Sequence, residues 1–204
     1  MRFEDAFKIV LGFEGGYVND QDDKGGETNY GITASTLNSA KTKGWIPFNV
    51  TIQNIKIEHA KIIYKKGYWD AVQADSLPHP LDLIMFDSAV NHGPNAAVKL
   101  LQKSLNALLP YTELVVDGII GPLTLRAVNN YVGLGIVPGM YPNSNIRYLC
   151  MDVLMNRIEL YLSIVTNNKS QEKFLKGWLN RVFNLKSQAG LWKDGGTMTM
   201  TEIE

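Results

Sequence analysis

Glu14 closes an amphipathic run and is followed at once by Gly15, Gly16 and Tyr17. Upstream, Phe3, Ala6, Phe7, Val10 and Leu11 recur at i, i+3/i+4 and i+7/i+8, the spacing of one apolar helix face. The two glycines stand where such a helix would stop. A carboxylate there faces unpaired backbone carbonyls at the negative end of the helix dipole, beside the Phe13 ring. Both surroundings disfavour the ionised form, so the proton is held to higher pH. A carboxylic acid that stays protonated near neutrality is suited to protonate a leaving group. The polar loop that follows carries Asp20, Asp22 and Asp23, whose solvated carboxylates stay ionised. Cleavage of a glycosidic bond asks for this pairing, a proton donor and a second group that steadies positive charge or activates water. Asp22 and Asp23 are equal candidates for the second part, and the Thr28 hydroxyl can orient a water. The separation of the two carboxyls decides between inversion and retention, and that distance is not written in the sequence.

Other chemistries find less support. Read as a calcium loop from Asp20, the segment puts Lys24 at the fifth position and Gly31 at the twelfth, where an acidic ligand is required. His59, His79 and His92 have no ligand spacing, and one cysteine does not make a zinc site. No Gly-x-Ser-x-Gly elbow is present. The expectation is a site with no metal and no cofactor.

The elements that must position these residues are mainly helical. After the first helix, Thr28 to Thr33 reads as a short strand of one small hairpin, and helices follow from Thr33 or Ser35 to Gly44 and from Ile57 to Lys66. Leu81 to His92 is an apolar helix stopped by Gly93, and Pro94 or Asn95 opens the next, which runs to Leu109. Val116 to Pro122 is a tight turn between helices. Later helices span Leu123 to Tyr131, about Ile146 to Val165, and about Gln171 to Phe183. The fold class expected is mainly α, a helical bundle with one small β-hairpin beside the helix that ends at Glu14.

At 204 residues with 45% apolar content, the chain can fill one ordinary core or two small ones. Lys+Arg and Asp+Glu both number 20, so no basic field points to a nucleic-acid partner. Cys150 lies in an apolar helical run and reads as a buried small hydrophobe. No run approaches the roughly 18 apolar residues of a membrane span, so stable membrane insertion is not expected. The first apolar run carries Arg2, Glu4, Asp5 and Lys8 and does not read as a signal peptide. Synthesis in the cytoplasm is expected, with another component needed for any action outside it.

Glu14-Gly15-Gly16-Tyr17, the loop Asp20 to Gly26, and Glu27-Thr28-Asn29-Tyr30-Gly31-Ile32-Thr33 closely resemble the EGGY-motif N-acetylmuramidases, glycoside hydrolase family 108. Tyr68-Trp69-Asp70 and Phe86 to Gly93 fit the same family in order. The resemblance implies a lysozyme-like fold and cleavage between N-acetylmuramic acid and N-acetylglucosamine in peptidoglycan, with Glu14 as the essential acid. A wider likeness to phage-type lysozymes implies the Asp22 or Asp23 and Thr28 roles. Tyr17, Tyr30, Trp69 and Asn91 are the expected sugar contacts. Each has a plainer reading: Tyr17 and Tyr30 as hairpin packing, Trp69 as core, Asn91 as part of a helix end.

Ala97 to Gln102, Val116 to Thr124 and Ala127-Val128 resemble the predicted peptidoglycan-binding domain that accompanies this family. Turn chemistry alone also explains that motif, with Gly118 and Gly121 allowing a tight turn, Asp117 bonding backbone within it and Pro122 opening a helix. The expected organisation is a catalytic part at 1–94, a second helical part at 95–185 packed tightly on it, and a tail at 186–204. Members of the family include phage-like endolysins and secretion activators. The resemblance therefore implies peptidoglycan glycan strands as partner and action at the wall or periplasm after release by a holin or other export component. The alternative is a non-catalytic peptidoglycan-binding secretion activator.

Overall fold

The computed structural model describes residues 2–13, 28–109, 113–134 and 144–191. Helix α1 (Arg2–Phe13) buries Ala6, Phe7 and Val10 along the face that the sequence spacing marks. A two-residue antiparallel ladder follows, β1 (Thr28–Asn29) with β2 (Ile32–Thr33), pairing Thr28 with Thr33 and Asn29 with Ile32. Tyr30 and Gly31 form its turn with φ of 53° and 70°, positive at both central residues as a type I′ hairpin turn requires. Thr33 ends the hairpin and starts α2 (Ala34–Thr42), its hydroxyl accepting from the Thr36 N–H at 3.2 Å.

Helix α3 (Ile57–Tyr64) passes directly into a π-helical turn, Lys65–Trp69, closed by the bond from the Asp70 N–H to the Lys65 carbonyl at 2.8 Å. Helix α4 (Leu81–His92) is the centre of the molecule, with every residue from Leu81 to Ala89 buried. Gly93, at φ 82°, makes the corner between α4 and α5 (Pro94–Leu108). Helices α6 (Pro122–Gly133), α7 (Ser144–Asn167) and α8 (Glu172–Gln188) complete the bundle. Along α7 the inward side chains are Ile146, Leu149, Cys150, Val153, Leu154, Arg157, Tyr161 and Val165, a regular helical stripe. One cluster of buried side chains runs from Ala6 to Leu191 and draws on both halves of the chain. Helix α8 continues three residues beyond the expected end of the second half, and Ala189 and Leu191 are buried. Among the described residues, no helix is long and apolar enough to cross a membrane.

The architecture is a mainly α, lysozyme-like fold with one small two-stranded sheet among the described residues. Helix α1 is held by rings and charges. Phe3 lies edge-on to Trp69 and Phe86, with centroids at 5.5 and 5.8 Å, and Phe7 edge-on to Tyr64 at 5.3 Å. Each such pair adds about 0.5–1.5 kcal/mol beyond area burial. Arg2 pairs with the buried Asp82 of α4 at 2.6 Å and also donates to the Leu77 carbonyl.

The turn between α5 and α6 is organised by a buried amide. The Gln102 side chain donates to Asp117 Oδ1 at 2.8 Å and the Ile119 carbonyl at 3.1 Å, and accepts from the Gly118 N–H at 2.9 Å. Asp117 in turn accepts from the Ile119 N–H at 2.8 Å. Gly118 has φ 79°, and a Cβ there would lie 2.3 Å from Asn95 Nδ2.

Candidate active site

Two places in the fold carry polar side chains with unusual surroundings. The first is the hairpin. Thr28 is half-buried in β1, and the Tyr30 carbonyl accepts from the Tyr64 hydroxyl at 3.1 Å, which ties the hairpin turn to α3. Asn29 Nδ2 donates to the Ile52 carbonyl at 3.1 Å. These bonds hold a strained, left-handed Tyr30 in place.

The second lies where α4 meets α7 and α8. Asp87 is 0% exposed and follows the buried apolar run Leu83 to Phe86 of α4. A carboxylate so placed requires cationic partners. Arg157 of α7 supplies one, its Nη1 at 2.6 Å from Asp87 Oδ1, and Arg181 of α8 supplies the other, its Nη2 at 3.0 Å from Oδ2. Arg157 is itself fully buried. One helical turn along, Asn91 on α4 meets Tyr161 on α7. The i, i+4 pair Asp87/Asn91 thus faces the i, i+4 pair Arg157/Tyr161, in register. Arg157 Nε donates to the Tyr161 hydroxyl at 2.9 Å, and that hydroxyl bonds Asn91 Oδ1 at 2.9 Å.

Rings surround this network. His92 lies 5.1 Å from the Tyr161 ring; Tyr161 stacks on Trp178 at 5.0 Å, and Trp178 on the exposed Phe174 at 6.0 Å. Burial, followed by the Arg157 guanidinium, pushes the His92 pKa down to about 4, with Asp87 opposing. The imidazole is therefore neutral at physiological pH. Burial pushes the Tyr161 hydroxyl up, so it stays protonated and available as a donor.

Of the residues singled out in the sequence, Glu14, Tyr17, Asp22 and Asp23 lie outside the described residues. Thr28 and Tyr30 share the hairpin, and Asn91 belongs to the α4–α7–α8 network. Trp69 does not serve as a sugar platform. It is 0% exposed, with its ring edge-on between Phe3 and Phe86, and has no face to offer a ligand. Asp87, Arg157, Tyr161, Arg181 and Trp178 were not anticipated. The available signal was Asp87 itself, a charge placed between the apolar run Leu83 to Phe86 and Ala89-Val90. Pairing it with arginines 70 and 94 residues away needs the fold.

Residues 7–93 match the model of Glycosyl hydrolase 108, and residues 96–183 match that of a Predicted Peptidoglycan domain. A solved structure, that of Brucella abortus SagA, is similar at 30% identity and a TM-score of 0.70, covering 95% of this chain and 97% of that one. The chain belongs to glycosyl hydrolase family 108. No curated protein matches it. Membership in family 108 assigns glycoside hydrolysis at the level of the family, and the second match points to peptidoglycan as the partner. The boundary between the two matched segments falls at Gly93 to Ala96, and the Asp87–Arg157–Arg181 network crosses it. In this family 108 chain, the helices of the second segment thus supply the cations that neutralise a buried acid of the first.

Proposed function

We propose that this family 108 chain is an N-acetylmuramidase that cleaves peptidoglycan between N-acetylmuramic acid and N-acetylglucosamine. The observation that carries the reading is the family match over residues 7–93, which includes Glu14, the acidic loop and Thr28 in order. Helix α1 supports it: no lysine or arginine stands in its last turn, so its own sequence offers no cation to draw the proton from a carboxyl at that end. Glu14 donates this proton to the leaving oxygen as the bond opens through an oxocarbenium-like state. Asp22 or Asp23, with Thr28, steadies that positive charge or directs the incoming water. Tyr17, Tyr30 and Asn91 contact the sugars.

Access to the wall through a holin or another export component is part of the same reading. The second segment holds the chain on the glycan. Mass analysis of purified peptidoglycan after digestion tests the proposal. New N-acetylmuramic acid reducing ends support a muramidase, and new N-acetylglucosamine reducing ends contradict it. Sedimentation of the chain with the wall without any new ends favours the non-catalytic binding alternative.

A further inference from the structure

The hydrogen-bond chain through Tyr161 has a direction, and the direction is set by its first member. An arginine guanidinium only donates, so the Tyr161 oxygen accepts from Arg157 Nε. The Asp87 carboxylate, 2.6 Å from Nη1 of the same guanidinium, holds that donor in place. The phenolic proton of Tyr161 then has Asn91 Oδ1 as its acceptor at 2.9 Å. The reversed amide would leave that proton without its acceptor beside a side chain that is 1% exposed. The Asn91 carbonyl is therefore occupied and its NH2 group points away from Tyr161. Among the described residues nothing bonds that nitrogen. Asn91 is half-buried, and the nitrogen is not one of the sealed, unpartnered polar atoms, so it reaches solvent.

From this directed chain, Asp87 to Arg157 to Tyr161 to Asn91, we infer that Tyr161 is a positioning residue. It locks Asn91 as a hydrogen-bond donor that selects wall glycan through the carbonyl oxygen of an acetamido group. The inference rests on the reading of Asn91 as a sugar contact. An acetamido carbonyl is a stronger neutral acceptor than a hydroxyl and is repeated on every sugar of an N-acetylated strand. A donor-only group discriminates against the de-N-acetylated sugar, which offers an ammonium in its place. A carbonyl-out asparagine would tolerate that ammonium.

The test compares the full chain on purified peptidoglycan and on the same material after enzymatic de-N-acetylation, by sedimentation and by reducing-end release. The native chain is expected to bind the acetylated form about three- to tenfold more tightly, the range that one neutral hydrogen bond spans. Tyr161→Phe frees the amide to turn, and the preference falls toward unity through a higher KM on acetylated glycan, with kcat kept. Asn91→Asp keeps the acceptor toward Tyr161 and removes both donors, and the preference turns toward the ammonium form. Equal binding of both forms by the native chain overturns the inference, as does a folded Tyr161→Phe that keeps the full preference. A merely structural role for Tyr161 would weaken both substrates alike. Should Tyr161→Phe fail to fold, Asn91→Asp decides: retention of the acetylated preference overturns the inference. Acetyl-selective binding without new reducing ends would support it while refuting the hydrolase reading.

Discussion

Replacing Asp87 with asparagine removes one negative charge and leaves the shape of the side chain nearly unchanged. In the folded protein that charge sits 2.6 Å from Arg157 Nη1 and 3.0 Å from Arg181 Nη2, with Asp87 and Arg157 both at 0% exposure. Neither guanidinium can lose its proton, so the variant must hold the fully buried Arg157 and the partly buried Arg181 without this carboxylate. Breaking a buried pair in this way costs about 3–5 kcal/mol. For a chain of this size each kcal/mol lowers the melting temperature by roughly 2–4 °C, which gives a fall of about 6–20 °C. Thermal unfolding at neutral pH, followed by circular dichroism with urea titration as a check, measures it. Combining Asp87→Asn with Arg157→Met in a double-mutant cycle is expected to show coupling above about 1 kcal/mol, as groups in one network do. A loss below about 1 kcal/mol for Asp87→Asn, or additive single effects, would refute the electrostatic account of the α4–α7–α8 junction.

Three further outcomes follow from particular side chains. His92 has a folded pKa of about 4 against an ordinary 6.5, so the unfolded chain binds more protons between these values. Stability is fully present above pH 6.5 and is lost as pH falls toward 4, by about 3 kcal/mol in all; urea midpoints for the native chain should decline across that window and those for His92→Gln should stay flatter. Gly118→Ala forces a residue with a side chain to φ 79° and places its Cβ 2.3 Å from Asn95 Nδ2 and 2.7 Å from the Asn95 carbonyl. Its loss of stability should exceed about 1 kcal/mol in the same urea assay, and an unchanged midpoint would count against the turn geometry. Cys150 is buried and its thiol is pushed up by that burial, so a thiol-specific reagent should modify it only at the rate of unfolding. Rapid labelling of the native chain would contradict the packing of α7.

Helix positions were legible wherever one face is apolar and the ends carry their own signals. Ala6, Phe7 and Val10 are buried as their spacing requires, and the Gly93-Pro94 corner ends α4 and starts α5. A small hairpin in the first half was legible, but Thr28 to Thr33 holds both of its strands and the turn rather than one strand, and tyrosine in the left-handed turn position depends on the Tyr64 bond to its carbonyl. For Trp69 the sequence left two readings, core and sugar contact, because helical periodicity assumes 3.6 residues per turn and does not fix its direction. The π turn from Lys65 to Trp69 adds a residue, and the inward position below Tyr64 passes to Trp69. The charged network was illegible for a different reason. A buried acid announces its need for a cation, but Arg157 and Arg181 become its partners only once α7 and α8 lie against α4. Tyr161 and Asn91 follow from that docking, since each is one turn beyond a member of the ion pair.

In the proposed muramidase reaction, one proton carried on Glu14 opens a sugar–sugar bond in the wall. The direct measurement is the rate at which the native chain and Glu14→Gln release reducing ends from purified peptidoglycan at matched protein concentration. General-acid catalysis contributes about 10²- to 10⁴-fold, so the native chain should release them at least a hundredfold faster while both proteins sediment with the wall. Equal rates from the two proteins would contradict the account.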